Sequence, residues 1–179
     1  MVVDCKFKLE EIKRIAKSMI VLVDSREKQN AHILSYFDKI HIKYEKTTLN
    51  FGDYSFYLSA DPAAGVKQDM YFHKEIIIER KSSLEELSNN LGQERERFEK
   101  ELLKASKDRC KLFLMVEAPG GYTDIMEHRY GTQFKPSPYI ASLKTFESRY
   151  GVDVQFIDPK YAGYMIHSTF YYHLRENMN

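Results

Sequence analysis

Cysteine is scarce. Two, Cys5 and Cys110, occur in 179 residues, too few for a disulfide framework or for a four-ligand zinc site of their own. Long hydrophobic runs are missing as well. Met19–Val23 and Leu112–Val116 are the longest at five residues each, far from the ~20 that a membrane-spanning helix needs. The N-terminus is charged from Asp4 onward and has no apolar signal-peptide core. The expectation is a soluble, intracellular protein in a reducing compartment, with no membrane partner, cytoplasmic in a bacterial or phage source. No internal repeat or low-complexity linker is present. Charge of one sign is not in excess either: 27 Lys+Arg stand against 26 Asp+Glu, a formal net charge of +1. Binders of nucleic acid tend to be basic. A metal-dependent enzyme acting on nucleic acid also spends acidic residues on its metals, so the distribution of charge decides more than its sum.

At ~150 residues per domain this length makes one domain with a real core. Lys8–Ser18 sets Leu9, Ile12, Ile15 and Ala16 at helical spacing, and Met19–Val23 is apolar and β-branched, a buried strand. Asn30–Ile40 repeats the helical pattern. Ile42–Leu58 holds two strands meeting near Asn50–Asp53, and Ser59–Lys74 has the Asp-Pro, glycine and mixed charge of a loop. Glu75–Lys81 contains three consecutive isoleucines, the mark of a central strand buried on both faces. Ser82 and Glu85 have capping-box spacing for a helix, which Gly92 separates from a second one over Glu94–Asp108. Lys111–Glu117 is a strand, Ala118–Pro138 a loop-rich stretch, Tyr139–Tyr150 a helix, Val152–Ile157 a strand and Tyr161–Glu176 a last helix. The order αβαβββαβαβα describes a single α/β domain with a mixed central sheet flanked by helices.

Three acids end or follow apolar strands: Asp24 closes VLVD, Asp53 lies in FGDY and Glu79 closes IIIE. Alternation along a strand sends Glu79 and Lys81 to one face and Arg80 to the other. Taken singly, each has an ordinary explanation: a Gly-Asp turn, a strand-end or helix-capping aspartate, an exposed Glu–Lys pair. Together they do not resemble a solvated face. Two like charges ~5 Å apart repel by roughly 3 kcal/mol at an effective dielectric of ~20, and one lysine cannot offset three such pairs. Mg²⁺, with Mn²⁺ as a substitute, suits such oxygen ligands. A lysine beside the metal can position or deprotonate a water, or steady charge developing on a phosphate.

VDSRE (Val23–Glu27), GDY (Gly52–Tyr54) and ERKSSLEEL (Glu79–Leu87), in this order, resemble the nuclease domain of the XPF family of structure-specific endonucleases, within the PD-(D/E)XK superfamily. The resemblance runs through Ser88, Arg97-Phe98 and LFLMVE to about residue 176. It implies a restriction-endonuclease-like fold over residues 19–179, with residues 1–18 as an N-terminal helical extension. It also implies an Mg²⁺-dependent endodeoxyribonuclease of DNA repair or recombination, acting on branched or partly single-stranded DNA, and a homodimer. Position by position, it makes Asp24, Asp53 and Glu79 the metal ligands, Lys81 the catalytic lysine, and Glu27 and Arg80 supporting active-site residues. Arg97 corresponds to a phosphate-facing arginine.

Glu85 stands where the family has an aspartate, Glu101 stands where it often has a glutamine, and the stretch between GD and ERK (Tyr54–Ile78) is long enough for an extended hairpin or loop near the active site. The sequence contains no helix-hairpin-helix tandem, the module many members use to grip branched DNA. Arg97, Lys100, Lys104, Lys107 and Lys111 recur at 3-4-3-4 spacing. They form either a phosphate-tracking ridge or a solvated face neutralised by neighbours such as Glu96–Lys100, an i,i+4 pair, and Glu99–Lys104. The aromatic and basic loop Gly120–Pro138 either meets distorted DNA or packs on the core. The six histidines show no metal-ligand spacing. Two rival functions remain: a non-catalytic DNA-binding or dimerisation scaffold on a degenerate nuclease fold, and a sequence-specific restriction-type nuclease.

Overall fold

The structure, a computed structural model, describes residues 7–178, so Cys5 and the start of the expected N-terminal extension lie outside the described residues. Its strands are β1 (Met19–Asp24), β2 (Tyr44–Thr47), β3 (Tyr54–Leu58), β4 (Met70–Tyr71), β5 (Ile76–Lys81), β6 (Lys111–Glu117) and β7 (Asp153–Ile157). They make one mixed sheet in the order β2-β1-β3-β5-β6-β7, with β4 attached to β3. The helices are α1 (Leu9–Ala16), α2 (Ala31–Lys39), α3 (Leu84–Leu91), α4 (Arg95–Lys107), α5 (Gly121–Met126), α6 (Pro136–Tyr150) and α7 (Ala162–Asn177).

Alternation along the central strand β5 divides the core in two. Ile76 and Ile78 face a layer that includes Ile33 and Phe37 of α2 and Ile166, Phe170 and Leu174 of α7. Ile77 faces the opposite layer, with Leu87 of α3, Phe98 and Leu102 of α4 and Leu143 and Phe146 of α6. The first helix belongs to the same body: Ile12 and Ile15 are buried, and Ile15 joins the α2–α7 layer.

β1 runs antiparallel to β3, β3 runs antiparallel to β5, and β5, β6 and β7 are mutually parallel. The C-terminal ends of β1, β5 and β6 therefore emerge at one end of the sheet, together with the N-terminal end of β3. That single fact gathers Asp24, Asp53, Glu79 and Glu117 from four separate stretches of sequence.

The same directions place the long excursion between β3 and β5 elsewhere. β3 leads away from Asp53, Leu58 pairs with Met70, and no residue of Ser59–Lys74 lines the cleft at the acidic end. The extended loop expected near the active site hangs instead from the far end of the sheet. The two strands expected in Ile42–Leu58 are also not neighbours, because β1 is inserted between β2 and β3. Within the stretch read as loop, Gly121–Met126 forms a short helix. Tyr130 and Phe134 of that stretch pack on Tyr139.

Candidate active site

A cleft of about 650 Å³ opens at the acidic end of the sheet, lined by Asp24, Arg26, Asp53, Glu79, Lys81, Glu86, Arg97 and Glu101 among others. Asp53 is placed by two links to β5: its own N–H donates to the Ile78 carbonyl at 2.9 Å, and its Oδ2 accepts from the Arg80 N–H at 2.8 Å. The turn that delivers it requires glycine. Gly52 has φ +71°, and a Cβ there would overlap the Ile77 Cγ2. Asp53 lies deep on the cleft floor with an edge open to solvent. Burial, and then the Glu79 charge, push its carboxyl well above the ordinary carboxylate range.

Glu79 and Lys81 share one face of β5, as alternation predicts, and Lys81 Nζ donates to Glu79 Oε1 at 2.7 Å. Burial works to lower the Lys81 ammonium's pKa, but the Glu79 carboxylate outweighs it and the net shift is upward. Lys81 is therefore a cation at neutral pH, held 5.0 Å from the centroid of the Phe98 ring on α4. In this state it can orient a water or face developing negative charge.

Arg80 points to the other face, as expected, into a buried network. Its Nε and Nη2 donate to Glu117 Oε1 and Oε2 at 2.8 and 2.9 Å. Glu27 stands 3.4 Å from Nη1, and His32 Nε2 is 2.8 Å from Glu117 Oε1. Glu27 and Arg80 thus brace the strand end, and both also line the cleft beside Asp53 and Glu79. Glu117 was not singled out by sequence reasoning, although it carries the same signal as Glu79: an acid closing an apolar strand.

Asp24 is in the cleft but its oxygens are engaged. Oδ1 accepts from the Arg26 N–H and Nε, both at 2.8 Å. Oδ2 accepts from Arg26 Nη2 at 3.0 Å and from the Leu49 N–H at 2.7 Å. Two donors on each oxygen fill a carboxylate's ordinary complement. Burial opposes them, yet the bonds from Arg26 and Leu49 hold the carboxyl below its usual range. Among the described residues, no group of three or more His, Cys, Asp or Glu side chains is arranged to hold a metal ion. Asp53 and Glu79 thus stand together on the cleft floor, while the Asp24 oxygens are bonded to Arg26 and Leu49.

The helix after β5 begins one residue later than the Ser82–Glu85 spacing suggests. Ser83 is the cap, accepting from the Glu86 N–H at 3.2 Å, and Glu86 reaches back to the N–H and hydroxyl of Ser82 at 2.8 and 2.7 Å. Glu85, freed from capping, accepts from the Gly131 N–H at 2.7 Å and ties down the loop before α6. That bond lowers its carboxyl's pKa.

On α4, Arg97 lines the cleft and pairs with exposed Glu94 at 2.6 Å, while Arg95 takes Glu99 at 2.9 Å. The i,i+4 neutralisation weighed for the stripe is not formed. Lys100, Lys104 and Lys107 are exposed and, among the described residues, enter no ion pair. Glu101 adds a half-buried carboxylate to the cleft, its pKa raised by burial and by Glu79.

The fold is similar to that of XPF from Aeropyrum pernix, with a TM-score of 0.62 and 22% identity over 87% of this chain and 65% of that one. XPF from Aeropyrum pernix in complex with DNA gives 0.60 and 22% over 88% of this chain. The present chain spans 65% and 66% of those two chains, just under two thirds of each. No curated protein sequence matches it. Residues 23–167, a stretch from the end of β1 into α7, match the ERCC4 domain, and the chain belongs to that family.

Proposed function

We propose that the domain hydrolyses DNA phosphodiesters as an Mg²⁺-dependent endonuclease, with branched or partly single-stranded DNA as its substrate class. One observation carries this reading: Asp53 and Glu79 meet on the cleft floor beside a charged Lys81. Asp53 Oδ2 is held by the Arg80 N–H and Glu79 Oε1 by Lys81. Oδ1 and Oε2 take no protein hydrogen bond among the described residues. Two such hard oxygens fit Mg²⁺ or Mn²⁺, since magnesium is commonly held by one or two carboxylates with substrate phosphate and water completing its shell. When bound, the ion supplies Lewis-acid polarisation of a phosphoryl oxygen and lowers the pKa of a water.

The chain's own groups do the remaining work. Lys81 spends one of its three N–H donors on Glu79, and the others can orient the attacking water or meet charge gathering on the phosphoryl oxygens. Arg80, clamped by Glu117 and Glu27, fixes the backbone between Glu79 and Lys81 and donates its N–H to Asp53. Arg97 in the cleft, and the unpaired Lys100, Lys104 and Lys107 farther along α4, offer phosphate contacts. A basic ridge leading to paired carboxylates separates the polymer's backbone from its point of cleavage, which a net charge near zero conceals.

DNA as the polymer is supported by the similarity to XPF from Aeropyrum pernix, a protein whose complex with DNA has been solved. A homodimer remains part of the proposal: Tyr161, Tyr164 and Tyr172 are about half exposed near or on α7, whereas Tyr171 packs inward. Labelled flap, fork, four-way-junction and linear DNA, each incubated with Mg²⁺ and with chelator, test the activity and rank the substrates. Mg²⁺-dependent cutting that favours branched DNA is expected. Binding without cutting would favour a scaffold, and cutting of linear duplex at one sequence a restriction-type enzyme.

A further inference from the structure

We propose that Asp24 serves this site by holding Arg26 as a phosphate anchor at the cleft mouth, and not by ligating metal, an inference that rests on the nuclease reading above. Every lone-pair position on Asp24 is engaged: two bonds from the Arg26 side chain, one from the Arg26 N–H and one from the Leu49 N–H. A metal could take either oxygen only after a donor is displaced. The aspartate is 1% exposed while the arginine it holds is 67% exposed, so the charge on display at this wall is positive.

The guanidinium is fixed through Nε and Nη2 and free at Nη1. Nε and Nη2 are occupied by Asp24, and Nη2 also donates to the Leu49 carbonyl at 2.8 Å. Asp24 and Arg26 thus grip both polar groups of Leu49, in the segment that leads to Asp53. The two N–H groups of Nη1 have no hydrogen-bond partner among the described residues. Arg26 lines the same cleft as Asp53 and Glu79. The two N–H groups of Nη1 diverge, so each can donate singly to a phosphate oxygen, and a guanidinium held in advance loses little freedom on binding. With Arg97 on the α4 wall, Arg26 supplies the second cationic jaw of the cleft. A strand entering between them would set a phosphate over Asp53 and Glu79. In this arrangement Arg26 touches substrate and Asp24 is a positioning residue.

The test uses the full chain in wild-type form and as Asp24→Asn, Arg26→Ala, Arg26→Lys and the Asp24→Asn/Arg26→Ala double variant, with Glu79→Gln as the metal-ligand control. Mn²⁺ affinity is read without DNA from the electron paramagnetic resonance of free Mn²⁺. Binding of a fluorescein-labelled fork is read by anisotropy in Ca²⁺ over a salt series. Asp24→Asn and Arg26→Ala are expected to keep Mn²⁺ affinity within about twofold, while Glu79→Gln weakens it by about tenfold or more. Arg26→Ala lowers the slope of log affinity against log salt by about one, a change that a purely structural role would not produce. Arg26→Lys restores that slope with incomplete affinity, because a flexible lysine is not held in advance by Asp24 and Leu49 as the guanidinium is. The double variant binds DNA no worse than Arg26→Ala. Mn²⁺ binding weakened in Asp24→Asn as in Glu79→Gln, or an unchanged salt slope in Arg26→Ala, overturns the inference. Should the wild type fail to cut any DNA, the nuclease reading falls, and the salt slope still decides the anchor by itself.

Discussion

Replacing Glu117 with alanine removes the bidentate partner of a guanidinium that has almost no access to water. The Arg80 side chain is 3% exposed and that of Glu117 is 4% exposed, with N–O separations of 2.8 and 2.9 Å. Deleting one member of a buried pair costs about 3–5 kcal/mol, because the survivor is left charged and unsolvated. Glu27 remains 3.4 Å from Nη1 and relieves part of that penalty, which places the loss near the lower end, at about 3 kcal/mol. His32 is also left without its partner, but at 37% exposure it turns to water. For a domain of this size each kcal/mol moves the melting temperature by roughly 2–4 °C, so Glu117→Ala should melt roughly 6–12 °C below wild type. Urea and thermal unfolding of metal-free protein measure the loss. Glu117→Gln keeps the shape and one acceptor and should lose less. Arg80→Met/Glu117→Leu should regain much of the loss, since a buried ion pair seldom outperforms apolar residues of similar volume. A Glu117→Ala loss below about 1 kcal/mol, typical of an exposed pair, would show that Arg80 does not depend on Glu117. So would a double variant no more stable than the single.

Gly52→Ala should destabilise by about 2–3 kcal/mol and cut activity further, since it combines a left-handed φ with overlap onto the buried Ile77, one residue from Asp53; unfolding and cleavage rates compared side by side check it. Asp53→Asn should flatten the pH dependence of stability in metal-free protein. The Asp53 carboxyl is raised in the fold, so its contribution is fully present below the unfolded value of 3.8 and is lost as pH rises through the folded value. Metal-free wild type should therefore fall relative to Asp53→Asn as pH rises above the unfolded value and through the raised folded one, and Mg²⁺ should narrow the gap at the upper end by binding wild type alone. Lys104→Gln/Lys107→Gln should leave the melting temperature within about 2 °C, as both side chains are exposed, and lower the salt slope of DNA binding by about one for each phosphate no longer neutralised.

The strands were legible because their residues can go nowhere else. Ile76-Ile77-Ile78 demanded burial on two faces and received it from two separate helical layers. Period-two alternation likewise separated Glu79 and Lys81 from Arg80 correctly. Gly92 ended α3 where a helix-breaking residue should. Pairing order was not legible, since nothing local in Tyr44–Thr47 says that β1 will lie between it and β3. The direction of β3, which carries the long excursion away from the cleft, depends on the same non-local pairing. Ser82 and Ser83 satisfy the capping pattern equally well as letters, and the backbone chose the second. The commitment of Asp24 to Arg26 was hidden for a different reason. A carboxylate and an arginine two residues apart meet only when the chain turns sharply after a strand, a conformation the letters SR do not dictate. Glu117 became a partner of Arg80 through the parallel register that sets Lys81 opposite Val116.

Single-turnover cleavage of a labelled DNA fork by wild type and Asp53→Asn at saturating Mg²⁺ bears on the catalytic floor without intermediaries. If the Asp53–Glu79 pair beside Lys81 performs the chemistry, wild type cuts and the variant, still folded, is slower by about 10²–10⁴-fold. Cleavage by Asp53→Asn at the wild-type rate would mean that the reaction happens elsewhere.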